Sequence, residues 1–338
     1  MRCAVLHAPR DMRMEEGPIP GIAHNEALIK VNAAGICGGD IHFYDGVHPY
    51  CNYPRIHGHE LAGTVEKIAP GTTNIKPGDH VVIEPLIYCG KCYPCRIGKY
   101  NCCVSLQVIG AHVDGGFADF VKVPTKLVHK IPPDMPFDLA ATCEPYSIGH
   151  HAVQRAQVTN ADKVLILGAG AIGLTALDFA RLAGSQVYVV EISPQRQELA
   201  KKFGAEVIID PTKEDTVAKI MDLTDGEGVG VVIEATGRRS VMENTENLVA
   251  AGGRIVIVGL TNEKVAFTGI NFTKREMTIM GSRNSAGEFP TVIEAIASGK
   301  THAKLLITRR FPFPEIVEAM AYTSQNITRE GKVLLEYH

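Results

Sequence analysis

The chain has 338 residues, 45% of them hydrophobic and 21% charged, with a formal net charge of −3. That length exceeds what one hydrophobic core usually serves, so two domains are expected. The weakly acidic balance gives no electrostatic basis for binding nucleic acid or an anionic membrane surface, and no apolar run reaches the ~18 residues of a membrane span.

Residues 1–7 lack the long apolar segment of a secretory signal. The nine cysteines, an odd number, suit a reducing compartment. A cytoplasmic location is therefore expected. Over the first ~145 residues, short β-type runs recur at 3–6, 27–31, 63–68 and 80–83. Pro77-Gly78-Asp79 and Pro132-Pro133-Asp134 punctuate them as turns. This stretch reads as an irregular, mostly β domain.

Four ligand-type residues, at three places, fall in this region or at its end. Cys37 lies in the glycine-rich turn Gly35-Ile36-Cys37-Gly38-Gly39-Asp40-Ile41-His42. His59 and Glu60 follow Gly58, and Glu144 lies in Cys143-Glu144-Pro145-Tyr146. A thiolate, an imidazole and a carboxylate would leave one position for water or substrate, as catalytic zinc requires.

Between them Cys89, Cys92, Cys95 and Cys103 are spaced C-x2-C-x2-C-x7-C. Four thiolates at that spacing can surround a tetrahedral ion, and a closed four-sulfur shell is typical of structural zinc. Tight turns at Gly90-Lys91 and Tyr93-Pro94 suit the arrangement, and Lys91, Arg96 and Lys99 offset its negative charge. The alternative is a set of buried or disulfide-bonded cysteines. A closed shell would hold a loop and perform no chemistry.

From about residue 160, apolar runs of four to six residues alternate with helical stretches. The runs are 164–167, 187–190, 207–209, 231–233, 254–258 and 277–280. Helices are expected at 172–182, 195–203, 216–223 and 241–249. Buried strands alternating with crossover helices predict a doubly wound parallel sheet, and six strands make two mononucleotide-binding halves. After Gly281 an isolated helix at 290–297 and short strands ending at 333–336 are expected to rejoin the first domain.

The motif Gly168-Ala169-Gly170-Ala171-Ile172-Gly173 follows the first of these strands and opens a helix. Gly168 serves the tight turn, Gly170 the approach of a pyrophosphate, and Gly173 close helix–strand packing; the helix N-terminus faces the phosphates. Glu191 ends the next strand, 18 residues after Gly173. A carboxylate there accepts from ribose hydroxyls and repels a 2′-phosphate, so NAD is expected rather than NADP. Arg196 either stacks on the adenine or is a solvated helix residue. Ala235-Thr236-Gly237, Gly259-Leu260 and Gly281-Ser282-Arg283 are expected to border the nicotinamide half.

Taken together, Cys37-Gly-x-Asp-x-His, Gly58-His59-Glu60, the four-cysteine lobe, Pro77-Gly78-Asp79 and Gly168–Gly173 resemble the zinc-containing medium-chain alcohol dehydrogenases. The similarity spans essentially the whole chain and is to the subgroup of sorbitol, threonine and sugar-acid dehydrogenases. It implies a GroES-like catalytic domain at 1–147 with a structural-zinc lobe at 86–105. It further implies a Rossmann domain at 148–284 and a return segment at 285–338. Two zinc ions per chain, one catalytic and one structural, and NAD are the implied cofactors. A homodimer or homotetramer acting on a small polyol or sugar acid is the implied state.

In the family Cys37 and His59 correspond to catalytic zinc ligands, and Glu60 and Glu144 to alternate third ligands. Asp40 corresponds to the aspartate that fixes the zinc-bound histidine's tautomer. His42 corresponds to a proton-relay histidine, but its usual hydroxyl partner is replaced here by Gly39. Proton release then falls to Glu60 or Glu144, to waters, or to a neighbouring substrate hydroxyl. Arg283 resembles a substrate-contacting arginine, or else touches only cofactor and loop. Tyr44, Tyr50 and His112 are either pocket-lining or structural. His57, Cys102 and Cys143 adjoin the candidate ligands without matching their register.

The resemblance favours an aldonate such as L-galactonate, L-gulonate or L-idonate. A galactitol-1-phosphate-type sugar phosphate and a threonine-like amino alcohol follow. A non-catalytic NAD-binding sensor is the reading from another class, favoured by Gly39 alone.

Overall fold

Strand Glu26–Ile36, 11 residues long and buried along nearly its whole length, is the axis of the first unit. In this computed structural model, which describes residues 1–48 and 52–338, it pairs antiparallel with Glu60–Ile68, Phe120–Pro124 and Lys332–Glu336. The sheet continues on one side through His80–Ile83 to Val128–Lys130, and on the other, in parallel, to Ile307–Pro312. Arg2–Ala8, Asp11–Glu16 and Arg55–Ile56 form a three-stranded sheet. Leu6, Ile29, Leu61, Ile83, Phe117 and Phe313 are fully buried among the apolar side chains of this unit.

The second unit is a six-stranded parallel sheet. Its spatial order is Val207–Ile209, Gln186–Val190, Lys163–Leu167, Val229–Glu234, Val249–Ile257 and Thr278–Gly281. The order reverses between Lys163–Leu167 and Val229–Glu234, which is the point where such sheets open a crevice at their carboxyl ends. Val164, Leu165, Ile166, Val189, Val232 and Ile233 are inaccessible to solvent. That explains the continuous apolar runs, because a parallel sheet is covered on both faces.

Contacts divide the chain into Met1–Glu144, Phe289–Gly299 and Ile307–His338 on the one hand, and Pro145–Glu288 with Lys300–Leu306 on the other. Residues 300–306 therefore interrupt the return to the first unit. A buried polar knot holds them: Asp178, without solvent exposure, accepts from Tyr146 Oη at 2.6 Å and His302 N at 2.7 Å. Its other oxygen meets His302 Nδ1 at 2.6 Å. Ala303 and Leu306 are buried beside it.

The helix expected at 241–249 needs correction. The helix is Arg239–Asn244; after a 3-10 turn, Val249 opens the long strand Val249–Ile257. Leu248 and Val249 are apolar because they join the sheet core, not because they continue a helical face. Gly252, at φ +72°, accompanies the register shift against Val229–Glu234 that lets the strand begin so early.

No helix among the described residues is long and apolar enough to cross a membrane. Replacing Asp178 with Ala strands the buried Tyr146 hydroxyl and the His302 N–H. Urea unfolding is expected to show a loss of about 2–4 kcal/mol, since a buried donor left unpaired costs roughly 1–3 kcal/mol.

Candidate functional site

Cys37 directly follows the axial strand and caps the helix Gly38–Tyr44. Its sulfur accepts from Gly39 N at 3.4 Å, while Asp40 Oδ2 accepts from Cys37 N at 2.9 Å, a reciprocal cap that fixes the turn. Glu60 opens the neighbouring strand opposite Gly35. A Cβ at Gly35 would collide with Glu60 Oε2, so glycine is needed for this close approach. Ligand atoms of Cys37, His59 and Glu60 lie within 4.8 Å of one another.

The electrostatics fit a metal. Glu60 is 1% exposed, and Oε2 has no hydrogen-bond partner among the described residues. A buried, unpaired carboxylate oxygen is costly unless something positive meets it. His59 Nδ1 stands 3.5 Å from Asp40 Oδ1, an ion-pair distance too long for a good hydrogen bond. That contact leaves Nε2 as the ring nitrogen available to a ligand. Burial pushes the His59 imidazole down, but the charges of Asp40 and Cys37 outweigh it and raise it well above its usual range. Burial likewise opposes the charge on Asp40, and His59 overcomes it, holding the carboxyl low. These groups hold a proton where a cation would replace it.

One further residue belongs to this cluster. Lys332 Nζ lies 2.5 Å from Glu60 Oε1 and 3.3 Å from the Ile36 carbonyl, and the lysine is 4% exposed. Nothing local announces it. The only signal is a cation opening a strand, Lys332–Glu336, whose first four residues are all buried.

Glu144 is buried outside the three-residue set, with its carboxyl pushed up to about 7 by burial. The charges of His59 and Lys332 pull it down, while those of Glu60 and Asp40 push it up. His42 is exposed, and its carbonyl accepts from Val47 N and His48 N. His57 is a core residue bonded through Nδ1 to Gly110 O at 2.7 Å, and burial lowers its pKa. The Cys143 thiol is buried and pushed up for that reason. Tyr44 is buried, His112 Nδ1 accepts from Val108 N, and Tyr50 lies outside the described residues.

Sulfurs of Cys89, Cys92, Cys95 and Cys103 also lie within 4.8 Å of one another, and exposed Cys102 is not in the set. The Lys91 and Cys92 N–H groups draw Cys89 down to about 6. Burial and the neighbouring thiols push Cys95 up to about 12. Four sulfurs this close cannot all ionise without a cation between them.

In the second unit Gly168 has φ +96°, and a Cβ on Gly173 would collide with the Gly168 carbonyl oxygen. The motif therefore turns tightly and delivers helix Ala171–Leu182 with an N-terminus that no side chain caps. Ala171 and Ile172 form its first turn. Glu191 does more than end its strand. Oε2 accepts from Ala169 N at 2.8 Å, and Oε1 accepts from Ile192 N and Ser193 N at 2.8 Å each. The carboxylate thus shapes the glycine turn that it adjoins. The Arg196 guanidinium lies beside Gly170, 3.7 Å from where a Cβ there would stand.

Ala235 N bonds to Leu167 O, and buried Glu234 gathers Thr236 N at 2.7 Å and Gly237 N at 3.1 Å. Gly259 packs on Gly237, while Leu260 is 90% exposed. Arg283 is exposed in the same unit.

The chain matches the family described as alcohol dehydrogenase GroES-like domain over residues 23–133, and that described as zinc-binding dehydrogenase over 171–298. It is 38% identical to L-galactonate-5-dehydrogenase of Escherichia coli K12, over 94% of each chain. A solved structure described as a short chain alcohol dehydrogenase from E. coli CFT073, complexed with NADH, is 32% identical with TM-score 0.94 over 99% of both chains. Galactitol-1-phosphate dehydrogenase from E. coli is 29% identical, with TM-score 0.92, over 99% of this chain and 100% of that one.

Two variants separate the metal centres. Purified protein is expected to carry two zinc ions, falling to one in His59→Ala and to one in Cys92→Ser, as read by elemental analysis. In His59→Ala, NAD titration is expected to be unchanged and turnover abolished. Glu191→Ala should weaken NAD about 10-fold or more, because bonds to a charged acceptor are worth about 1.5–3 kcal/mol each. It should also narrow the preference for NAD over NADP; fluorescence titration with both cofactors reads the two effects.

Proposed function

Because this chain belongs to the zinc-dependent alcohol dehydrogenase family, with a GroES-like unit and a Rossmann unit and with zinc and NAD as its cofactors, we propose that it oxidises a secondary hydroxyl of a sugar acid or polyol. The observation that carries the catalytic part is the trio Cys37, His59 and buried Glu60, with a carboxylate oxygen that has no hydrogen-bond partner among the described residues. An aldonate such as L-galactonate, L-gulonate or L-idonate is the favoured substrate, supported by 38% identity with a galactonate dehydrogenase. A phosphorylated alditol is the second reading, supported by the likeness to galactitol-1-phosphate dehydrogenase. The enzyme acts in the cytoplasm as a homo-oligomer.

Zinc, when bound, supplies a Lewis acid that lowers the pKa of the substrate hydroxyl, and NAD takes up the hydride. The chain's own residues do the rest. Cys37, His59 and a Glu60 oxygen would hold the ion, and Asp40, beside Nδ1, would keep His59 turned with Nε2 towards it. The closed sulfur set of Cys89, Cys92, Cys95 and Cys103 holds the structural ion and offers no open position. Gly39 offers no hydroxyl to pass a proton to His42, so a carboxylate, Glu60 or Glu144, receives it. Glu191 would orient the adenosine ribose, and Gly168, Gly170 and Gly173 would receive the pyrophosphate. Arg283 is the residue assigned to a substrate carboxylate, which its planar fork can hold through two bonds.

A panel of L-galactonate, L-idonate, L-gulonate, sorbitol, galactitol 1-phosphate and L-threonine with NAD, followed at 340 nm, tests this reading. The highest kcat/KM is expected on an aldonate. Arg283→Ala should raise KM for that aldonate about 10-fold or more while changing sorbitol little, since losing a charged hydrogen bond costs about 1.5–3 kcal/mol. Selective turnover of galactitol 1-phosphate would transfer the assignment to the second reading.

A further inference from the structure

Lys332 is the feature of the first unit that neither the family motifs nor the local sequence explains. Its ammonium sits where two ligand-bearing segments meet. It donates to Glu60 Oε1 at 2.5 Å and to the carbonyl of Ile36, the residue before Cys37, at 3.3 Å. Both ionised side chains are almost wholly buried, at 4% and 1% exposure. The two oxygens of Glu60 are therefore unequal. Oε1 is held by the lysine, whereas Oε2 has no hydrogen-bond partner among the described residues and is the oxygen left free for an ion at Cys37 and His59.

We propose that Lys332 is a positioning residue that offers Glu60 to the metal through one oxygen only, keeping that bond weak enough for substrate to exchange with it. The inference rests on the reading of Cys37, His59 and Glu60 as a metal site. Its physical basis has two parts. An ammonium on Oε1 draws electron density from the carboxylate and stands as a like charge near the cation, so each weakens the Glu60–metal bond. Clamping Oε1 also prevents both oxygens from swinging onto the ion. Without the lysine, Glu60 would be a stronger ligand, harder for a hydroxyl to displace. It would also be an unpaired buried charge whenever the metal is absent.

Lys332→Met keeps the length of the side chain and removes the charge. Zinc release is followed with a chelator, and the catalytic site is identified as the phase that His59→Ala eliminates. In Lys332→Met that phase is expected to slow at least 10-fold. The d–d absorption of the cobalt-substituted protein should shift as the carboxylate presents its second oxygen. Values of kcat should fall at least 10-fold, and the metal-free protein should melt earlier. In a Glu60→Gln background the same Lys332→Met change should leave the zinc-release rate unaltered, because the gain depends on the carboxylate.

A lower melting temperature with an unchanged release rate and cobalt spectrum would overturn the proposal and leave a merely structural lysine. Faster zinc release would overturn it too. If His59→Ala eliminates no phase, the metal reading itself falls, an outcome separable from the other two. Should Lys332→Met not fold, Lys332→Arg retains the charge and is expected to keep release within threefold of the parent, whereas a 10-fold slowing there would contradict the role of charge.

Discussion

The buried ion pair of Lys332 and Glu60 is where the first unit's sheet turns into a site. Taking two such ions out of water costs several kcal/mol each, and close geometry with further hydrogen bonds must offset it. Here the contact is 2.5 Å and the Ile36 carbonyl takes another of the lysine's protons. That geometry exists only because three strands keep register. Gly35 stands opposite Glu60, and Val333 stands opposite Ile36. A shift of one residue in either pairing would send these side chains to the other face. Glu60 and Lys332 are therefore set by the sheet, which holds geometry more tightly than a loop would, and Cys37 and His59 adjoin its strand ends.

The two candidate metal centres differ in how charge is balanced. The lobe gathers four sulfurs from one short stretch, with N–H donors of Lys91 and Cys92 turned to Cys89. A divalent ion in four thiolates leaves two negative charges, an environment that opposes loss of a proton from anything nearby. At Cys37, His59 and Glu60 the sum with a divalent ion is zero. Lys332 and Asp40, each beside one ligand, add one charge of either sign, so the site stays neutral where the lobe is twice negative. On the proposed reading one site holds a loop and the other tolerates developing negative charge.

How much of this was legible in the sequence follows from the distance over which each feature is encoded. The parallel sheet was legible because each strand is a continuous apolar run and each turn carries its own glycines. The four cysteines and the Gly58-His59-Glu60 motif are equally local. The stretch 241–249 misleads because apolar residues near helical spacing also suit a helix end followed by a strand start. Leu248 and Val249 serve the sheet. The detour of 300–306 depends on Asp178, 124 positions from His302. Lys332 and Glu60 are 272 positions apart. No periodicity or motif reports such a pairing; only a charged residue at the head of an all-buried strand hints at it.

Glu191 illustrates a second limit of motif reading. Its position after the second strand predicts a reader of ribose hydroxyls, yet its oxygens already accept from Ala169, Ile192 and Ser193. A carboxylate has about four lone-pair directions, so three are taken by backbone and about one is left for a ribose hydroxyl. The side chain proposed to discriminate against a 2′-phosphate thus also orders the glycine turn proposed to receive the pyrophosphate. Cofactor choice and affinity are then coupled. Removing the charge relaxes the choice and loosens the glycine turn, so tolerance of NADP would require a replacement acceptor for Ala169, Ile192 and Ser193. An uncharged side chain that still accepts from these three groups would separate the two roles.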